Sequence, residues 1–535
     1  MSIQEGDIEV SKKTLLHISE GIYRTEGSSI KELISNAFDA RATKIVINTN
    51  YPNFDILTCQ DNGEGMTEAE FLRIVKGGIG DSLKATASAS ERPIIGRLGI
   101  GILAIAQICR SFTIISHNEK TKTAFKGKMI FRTDVDKVAK EKTIKTDKNS
   151  NYDIGRWILE EKLEYDSNKK GVLIFTKDLR QSFVKRFKED KIIKREPLNN
   201  ASLEFESLLN SFYNLETRSI KELGAYYELI WEICQLAPLP YFEQTPIRKE
   251  FVKSIEQYEI EQRGSEFKDG KSFLAAKNKE LLSYDFSVIL DDIKLFRITK
   301  LPFPIQKKDH NQQSQIFYFE YNNVVRKRSL KFKAYFIAQE NAIRPRDLKG
   351  VQIRIKNVGI GLNDSTFLKY DKIESPRDNW ISGEIYVEEG LESALNIDRD
   401  SFNENDEHYF ILKQEIHKFL ASTVFPTVSA LQRKRLKESR DNKLESNLQS
   451  LKKDLKKLFS IKSNYALLFQ ETDDGNIKIN KSKRTIQFPV DILTAPFEKR
   501  RKFFAINVVD FISVLDVPKN ELPELLNALS TILLK

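Results

Sequence analysis

The alternation of apolar and polar positions predicts helices and strands in turn over residues 1–195. An apolar stripe with helical spacing covers residues 30–40, and two β-rich runs at 44–50 and 54–61 follow it as a hairpin. The same patterns predict helices at 67–76 and 100–110, and strands at 112–116, 122–131 and 171–176. One sheet covered by helices accommodates these elements, so the predicted fold class is α+β.

Beyond residue 195 the pattern changes twice. It is largely helical from 196 to 290 and returns to strands and a helix between 314 and 425. A 4-3-4-3 spacing of leucines then predicts a short coiled-coil seam, formed by Leu444, Leu448, Leu451, Leu455 and Leu458. The predicted domains are residues 1–195, a middle domain of 196–425 with a helical insertion, a basic coiled-coil segment of 426–460 and a small C-terminal domain of 461–535.

Composition narrows the class of protein. Of the 535 residues 40% are hydrophobic and 30% are charged, which argues against a disordered chain or a membrane channel. No uncharged apolar run approaches the roughly 20 residues that span a bilayer, and residues 1–10 are unlike a signal peptide. The three cysteines lack the spacing of disulfides or metal ligands. We therefore expect a soluble cytoplasmic protein without a membrane partner.

The formal net charge of +10 is mild for this length and permits contact with nucleic acid without requiring it. Basic residues gather at 326–333 and again at 432–458, where ten Lys and Arg face four Asp and Glu. A charged run is most often a solvated surface, and contact with a phosphate backbone is the alternative. The five histidines lack the helical spacing of zinc ligands, which argues against a zinc hydrolase.

Three short clusters within the first 101 residues carry the chemistry. In the first cluster Glu32, Asn36 and Asp39 occupy positions i, i+4 and i+7, so one face of a helix presents all three. A carboxylate beside an amide oxygen can supply a general base and a ligand for a hard cation. The competing interpretation is a solvated polar stripe.

The second cluster, DNGEGM at residues 61–66, follows a predicted strand. Asp61 can accept a hydrogen bond from an exocyclic amine. Gly63 and Gly65 let a flat ring approach the backbone, and Met66 supplies a soft apolar wall. The competing interpretation is an ordinary Asn-Gly turn.

The third cluster, GRLGIG at residues 96–101, leads into a predicted apolar helix. Backbone amides at a helix N-terminus favour phosphate, and glycines leave those amides accessible. The glycine spacing fits neither a Rossmann fingerprint nor a Walker A loop. The competing interpretation is a loop that turns tightly into a helix.

In this order and spacing the three clusters resemble the N, G1 and G2 boxes of the GHKL ATPases, the superfamily of gyrase, the ninety-kilodalton heat-shock chaperones, histidine kinases and MutL. The first cluster is most similar to the N box of the chaperone and MORC-type members. The resemblance covers about the first 180 residues. It implies a Bergerat-type ATP-binding α/β sandwich followed by a transducer-like α/β middle domain.

The resemblance also implies a role for each matching residue, with ATP and Mg²⁺ as the bound groups. Glu32 would activate the attacking water as general base, Asn36 would coordinate Mg²⁺, and Asp39 would support the polar edge of the pocket. The residues implied for the adenine slot are Asp61, Gly63, Gly65 and Met66. Those implied around the phosphates are Gly96, Gly99, Ile100 and Gly101, with Lys84 as a further contact in an ATP lid formed by residues 77–95.

One position departs from the family pattern. Members often place a threonine after a glycine at the start of a late strand, where its hydroxyl helps to bind adenine. This chain has Val172 after Gly171, so that hydroxyl is missing, and Thr176 is a distant substitute at best.

In gyrase, MutL and the chaperones a basic residue of the middle domain reaches the γ-phosphate. Arg354 and Lys356 are the candidates here, on a predicted strand whose alternation gives one apolar and one polar face. A solvated strand face is the alternative for both residues. Residues 396–400, NIDRD, are also similar to a chaperone middle-domain stretch.

The resemblance therefore implies a homodimeric ATP-operated clamp. Three outputs remain open: a clamp acting on DNA in genome maintenance or in antiviral defence, a protein chaperone, and a regulatory ATPase that switches a separate effector. A histidine kinase is excluded, because only His17 precedes the first cluster and most of the chain follows the ATP-binding region. The basic segments favour DNA.

Overall fold

The structure is a computed structural model that divides the chain into two compact units, Met1–Ser429 and Ala430–Lys535. Helices and strands are mixed throughout, which confirms the predicted α+β class. The residues that the structure describes are 3–10, 25–76, 92–95, 101–131, 152–188, 201–213, 218–242, 260–261, 270–298, 314–339, 342–371, 377–396, 400–470 and 476–534.

The first unit begins with the elements of a large mixed sheet. Its strands up to residue 188 are β1 (Gln4–Val10), β2 (Lys44–Asn48), β3 (Leu57–Asp61), β4 (Cys109–Asn118), β5 (Thr123–Phe131), β6 (Tyr152–Leu163) and β7 (Gly171–Leu179). The helices of the same stretch are α1 (Glu26–Asp39), α2 (Glu68–Val75) and α3 (Gln181–Lys188), with a 3-10 helix at Gly101–Gln107. Strands β1 and β6 were not predicted.

The region predicted to be largely helical contains helices and short strands. Its elements are α4 (Ala201–Phe212), α5 (Ala225–Leu236), β8 (Ile260–Glu261), α6 (Gly270–Ser283), β9 (Ser287–Leu290) and β10 (Ile293–Leu295). Strand β9 pairs in parallel with β2, and the order of the described sheet is β1-β6-β5-β4-β7-β3-β2-β9-β10. This sheet takes strands from both sides of residue 195, and the domain boundary placed there stays a prediction.

Helix α1 begins four residues before the predicted start because Thr25 caps it. The Thr25 hydroxyl oxygen accepts a hydrogen bond from the N–H of Ser28, as Thr at an N-cap commonly does. Nearly the whole helix is buried, including Ile34 and Phe38, and it packs against α5. At Gly27 a Cβ atom would lie 2.2 Å from Oε2 of Glu232, so only glycine permits this approach.

The helix predicted at 100–110 is shorter and tighter than expected. It is the 3-10 helix Gly101–Gln107, and Cys109 and Arg110 already belong to β4. Cys109 pairs with Leu179 of β7, so the backbone N–H and C=O groups of this stretch bond within the sheet instead of within a longer helix. An apolar run of this length cannot by itself distinguish a helix from a buried strand.

The middle region of the first unit has a second sheet. Its further elements are β11 (Ser314–Val325), β12 (Arg328–Gln339), β13 (Gly350–Ile355), β14 (Val358–Asp364), β15 (Ile381–Glu389) and α7 (Glu407–Phe419). The order among the described strands is β14-β13-β15-β12-β11-β8, with β13 and β15 parallel. The predicted strands and the predicted helix are all present.

The alternative of a solvated face is wrong for β13, because all six of its residues are buried. Arg354 donates from Nε to Oε1 of Glu384 at 2.8 Å, and the hydroxyls of Tyr335 and Tyr386 donate to Oε2 at 2.6 and 2.7 Å. Helices α5 and α6 cover this face: Gln352 donates to a carbonyl of α5, and the ring of Tyr386 packs against α6. Polar side chains on β13 therefore form a buried network.

The second unit begins within a long helix, α8 (Phe425–Lys462). Its other elements are β16 (Ala466–Gln470), β17 (Lys478–Asn480), β18 (Thr485–Pro489), α9 (Val490–Leu493), α10 (Phe497–Val514) and α11 (Leu522–Leu534). Four leucines of the predicted coiled-coil seam pack into the core of this unit: Leu448, Leu451, Leu455 and Leu458. The seam prediction is corrected accordingly, because the chain itself covers these leucines. Among the described residues, no helix is long and apolar enough to cross a bilayer.

The buried carboxylate of β15 should matter far more to stability than an exposed one on the same strand. Glu384→Gln leaves the guanidinium of Arg354 without its counter-charge, and we expect the free energy of unfolding to fall by about 3–5 kcal/mol. Glu389→Gln removes an exposed pair with Lys331 and should cost less than about 1 kcal/mol. All three tryptophans lie in the first unit, so urea titration followed by tryptophan fluorescence measures its unfolding. Equal losses in the two variants would contradict this assignment.

Candidate nucleotide-binding site

Helix α1 presents the polar residues of the first cluster as predicted. Glu32, Asn36 and Asp39 all lie within the helix, four and three residues apart, so they share one face. Glu32 is 2% exposed, whereas Asn36 and Asp39 are partly exposed. The helix therefore carries one buried carboxylate and, nearer its C-terminal end, an amide and a second carboxylate that a ligand can reach.

Lys31 ties this helix to the middle region. Its amine lies 2.7 Å from Oδ1 of Asp400 and 3.7 Å from Oε1 of Glu32, and the side chains of Lys31 and Asp400 are 1% and 6% exposed. Asp400 ends the stretch 396–400, of which residues 397–399 lie outside the described residues. Sequence reasoning missed Lys31, although it stands directly before Glu32 and a buried lysine requires a charged partner.

Asp61 stands at the end of β3, where two backbone N–H groups meet its carboxylate. The N–H of Gly63 donates to Oδ1 at 2.8 Å, and the N–H of Val172 donates as well. Burial raises the pKa of Asp61 from its ordinary 3.8 to about 6, and the two N–H donors oppose this shift. Gly171 has a φ of +104°, and a Cβ there would lie 2.2 Å from the carbonyl oxygen of Asp61. The second cluster and the start of β7 therefore form one surface.

Gly65 and Met66 are held against β4 by close contacts. Gly65 has a φ of +75°, and a Cβ at this position would lie 2.3 Å from the carbonyl oxygen of His117. The N–H of Met66 donates to Oγ of Ser116 at 2.7 Å, and that hydroxyl donates back to the Met66 carbonyl at 2.8 Å. Ser116 is fully buried and stands opposite Val172 in the sheet.

Ser116 is a second residue that sequence reasoning missed, because a serine within an apolar strand gives no local signal of its partner. It supplies a hydroxyl beside the strand position where the family often has threonine. Thr176 does not replace that threonine, because its hydroxyl donates to the carbonyl of Ser111 at 2.6 Å and it pairs with Leu57 at the other end of β3.

Residues 92–95 form a firmly held segment directly before the third cluster. The guanidinium of Arg92 is buried and donates to the carbonyl of Ala42 at 2.7 Å and to the carbonyl of Tyr284. It also lies over the ring of Phe38 of α1, 4.8 Å from the ring centroid. Burial lowers the pKa of Arg92. This end of the predicted lid is therefore anchored to α1 and to the residues before β9.

Two charged side chains from opposite directions bind the same segment. Oδ1 of Asp39 accepts a hydrogen bond from the N–H of Ile95 at 2.7 Å. The amine of Lys356, from the middle region, donates to the carbonyl of Ile94 at 2.8 Å. Gly101 begins the 3-10 helix that follows. The predicted contacts Lys84, Gly96, Gly99 and Ile100 lie outside the described residues.

The turn that carries Lys356 is itself fixed by buried polar groups. Lys356 and Asn357 connect β13 to β14 with φ of +50° and +67°, a conformation that Asn tolerates well. The Asn357 amide donates to Oε1 of Glu280 at 2.7 Å and to the hydroxyl of Tyr284 at 2.9 Å. Arg297 donates to the Asn357 carbonyl at 2.7 Å. The lysine is therefore presented by a rigid turn.

Of the two basic candidates, the structure brings only Lys356 to this segment. The guanidinium of Arg354 is 0% exposed and bonds to Glu384 and Gln352 of the second sheet. The proposed contact between Arg354 and a phosphate is therefore corrected: the side chain is fully buried, and its Nε and Nη2 bond within the second sheet.

The described residues fit a Mg·ATP complex. The Asn36 side chain makes no hydrogen bond with any described residue, so its amide oxygen is available at the edge of the site. No cluster of His, Cys, Asp or Glu side chains in the described part of the chain could hold a metal by itself. Mg²⁺ bound to nucleotide phosphates needs only one or two protein oxygens, and Asn36 can supply one.

The described part of the site places a carboxylate and neighbouring glycines at the end of a strand, next to a helix with a polar face, within a mixed α/β architecture. Residues 23–162 match the family model described as "Histidine kinase-, DNA gyrase B-, and HSP90-like ATPase". For this segment, the match confirms the resemblance to the GHKL ATPases that was inferred from the three clusters.

Two further similarities concern known proteins. Over 120 residues the chain is 38% identical to HgiDII of Herpetosiphon aurantiacus, provisionally named a type II restriction enzyme; the match covers 22% of this chain and 19% of that protein. The chain also resembles the solved N-terminal domain of a DNA repair protein, with 13% identity and a TM-score of 0.30, over 76% of this chain and 98% of that one. At that TM-score the second likeness supports no conclusion.

The raised pKa of Asp61 predicts how nucleotide affinity depends on pH. The exocyclic amine of adenine donates a hydrogen bond, and the ionised carboxylate is a much stronger acceptor for it than the neutral acid. With a pKa of about 6, Asp61 is mostly protonated at about pH 5 and ionised at about pH 7, and affinity for ADP should rise about tenfold between them. Calorimetric titrations across this range measure the rise.

Asp61→Asn is the control. This variant should bind ADP weakly, and its affinity should no longer rise with the ionisation of residue 61, so that only the titration of the ADP phosphates contributes to its pH dependence. The stability of the protein alone should depend on pH in the opposite direction. The folded protein holds the proton of Asp61 more tightly than the unfolded chain does, so the free energy of unfolding falls as pH rises from about 4 to about 6. Identical affinity profiles for wild type and variant would show that Asp61 does not bind adenine.

Proposed function

We propose that this protein binds and hydrolyses ATP as a nucleotide-gated dimeric clamp that engages DNA or a DNA-acting partner. The match of residues 23–162 to the GHKL-type ATPase family supports ATP as the nucleotide, since GHKL ATPases generally bind ATP with Mg²⁺. The observation that carries the clamp is the hydrogen bond from Lys356 of the middle region to the carbonyl of Ile94, two residues before the glycine-rich cluster. A side chain so placed can sense whether phosphates fill the loop.

Each side chain of α1 has a distinct task in the proposed reaction. Glu32 accepts the proton of the attacking water, and its burial beside Lys31 limits the positions that its carboxylate can adopt. Asn36 holds the Mg²⁺, which when bound would offset the negative charge of the phosphates. Asp39 keeps residue 95 in place through its bond to the N–H, so the loop begins from a fixed point.

Adenine specificity follows from Asp61 in this proposal. Its carboxylate accepts from the six-amino group of adenine, whereas guanine has an oxygen there that would face the carboxylate with no proton between them. A site that leaves polar groups unpaired rejects the wrong ligand strongly. ATP should therefore bind far more tightly than GTP.

Lys356 is proposed to exchange partners during the cycle. Its amine donates to the neutral carbonyl of Ile94, and a γ-phosphate oxygen would offer a stronger, charge-assisted acceptor. Because buried groups hold the turn of Lys356 and Asn357, a shift of the lysine carries β13 and β14 with it. This would couple the phosphate state to the middle sheet, as a transducer requires.

The DNA component rests on different support. The relative HgiDII carries the name of a type II restriction enzyme, and a role in genome maintenance or in defence against foreign DNA is consistent with that name. The same name supports a second candidate, a regulatory ATPase that switches a separate DNA-acting effector protein. The deciding experiment is ATP turnover with and without duplex DNA over a salt series, because stimulation through phosphate contacts fades steeply with salt.

Removing the proposed base should separate binding from hydrolysis. Glu32→Gln keeps the size of the side chain, so we expect ATP affinity near that of wild type and turnover lower by about 10²–10⁴-fold. Glu26→Gln is the matched control on the same helix; its carboxylate pairs with Arg186 instead, and turnover should be unchanged. Wild-type turnover in Glu32→Gln would disprove the assignment of the base.

Removing the proposed sensor should slow hydrolysis without abolishing binding. Lys356→Met takes away one donor to the phosphate, and we expect turnover to fall about 10²-fold with little change in the affinity for a non-hydrolysable analogue. Asn357→Gly keeps the backbone conformation but frees the turn, so it should reproduce part of this loss. Lys349→Met, which removes a lysine bonded to Asn379 of the same region, is the control. Equal turnover in Lys356→Met and Lys349→Met would contradict the sensor role.

A further inference from the structure

Most of the net positive charge of the chain lies in its second unit. Residues 430–535 contain 21 Lys and Arg against 13 Asp and Glu, a surplus of eight in a protein with a formal net charge of +10. The first unit is therefore almost neutral although it is about four times as long. Such an asymmetry between units indicates a polyanionic partner for the basic one.

The basic run of the middle region differs, because three of its five cations are paired with carboxylates of the same unit. The ion pairs are Arg326–Glu407, Lys331–Glu389 and Lys333–Glu388, with N···O distances of 3.0, 2.9 and 3.0 Å. These pairs offset most of the local positive charge, and Arg328 donates to the hydroxyl of Ser393 at 3.1 Å. This run behaves as a solvated, ion-paired surface.

Four cations of α8 have no partner of this kind. They occupy positions i, i+4, i+7 and i+10 and are Arg433, Lys437, Arg440 and Lys443, which we call the basic stripe. At about 100° per residue they fall on one side of the helix, within roughly 120°. All four are exposed, and none makes a hydrogen bond or an ion pair with any residue that the structure describes.

The acidic residues of the same stretch lie on another side of the helix. They are Glu438, Asp441 and Glu445, at positions i, i+3 and i+7. Each described side chain from 433 to 447 is exposed. Lys434 falls among these acidic residues, so that side of the helix carries both charge types, whereas the side of the basic stripe carries cations and no carboxylate. A side with four cations and no carboxylate differs from the alternating charges of a helix stabilised only by its own ion pairs.

We propose that the basic stripe docks the phosphate backbone of double-stranded DNA. The inference rests on the proposed engagement of DNA and names the surface that performs it. Adjacent cations are about 4.5–6 Å apart along the axis, and the stripe is about 15 Å long, so several phosphates of one strand lie within its reach. Contacts of this kind neutralise phosphates and read no base sequence.

An acidic protein would suit the stripe less well. The centre of a protein interface is depleted of charge and enriched in aromatic and apolar anchors. Leu436, 53% exposed, is the apolar side chain described among the four cations. A row of cations without an anchor favours a ligand recognised by its charge density.

The test compares two full-length variants that lose the same amount of charge. The stripe variant replaces Arg433, Lys437, Arg440 and Lys443 by Gln, and the matched control replaces Arg326, Arg328, Lys331 and Lys333 by Gln. Binding to unrelated 30-base-pair duplexes is followed by fluorescence anisotropy from about 50 to 200 mM salt, the range in which phosphate contacts are most visible. Basal ATP turnover without DNA is measured in parallel.

For the stripe variant we expect the slope of log affinity against log salt concentration to be smaller in magnitude by about 3–4. DNA should no longer stimulate its ATP turnover, and its basal turnover should equal that of wild type. The control and a variant with Arg433→Lys and Arg440→Lys should bind like wild type, because phosphate contact needs the charge alone. Wild-type affinity and slope in the stripe variant would overturn the docking surface and leave DNA engagement standing. If the wild type bound no DNA, or bound RNA alone, both the docking surface and the proposed engagement of DNA would be overturned. Basal turnover tests the ATPase assignment separately.

Discussion

The nucleotide site depends on the immobilisation of residues 92–95. A glycine-rich loop has no side chains to fix its own position, so its geometry must come from whatever holds its ends. Here Arg92, Asp39 and Lys356 each bind the segment through a charged group, and charge-assisted hydrogen bonds are roughly twice as strong as neutral ones. These three side chains come from the segment itself, from α1 and from the middle region. The start of the loop is therefore defined only when all three parts are assembled.

Buried charges serve the same assembly elsewhere in the first unit. Lys31 and Asp400, and likewise Arg354 and Glu384, lose their hydration on folding, and such pairs contribute little net stability compared with apolar residues of the same shape. What they impose is specificity, because either partner alone would be an uncompensated buried charge. Since Lys31 adjoins Glu32, the docking of residue 400 and the placement of the proposed base are one structural event.

The sequence predicted those parts of the site whose determinants are close together in the chain. The polar row on α1 spans eight residues and the turn after β3 spans six, so helical spacing and turn chemistry were sufficient. The missed features depend on partners far away. Strand β9 pairs with β2 across more than 200 residues, and β13 has a buried polar face because helices from residues 225–283 cover it. No local pattern encodes such coverage, and Lys31 and Ser116 were missed for the same reason.

The leucines of α8 were recognised in the sequence, but their partner was not. A 4-3-4-3 spacing specifies an apolar stripe on a helix, but not whether a second chain or the same chain covers it. Here the second unit covers Leu448, Leu451 and Leu455. The dimer of the proposed clamp must therefore be built on other surfaces. The uncovered part of α8 is a poor choice, because two copies of the basic stripe placed side by side would repel each other. Its charge instead favours a polyanion, which this helix can approach without disturbing the core beside it.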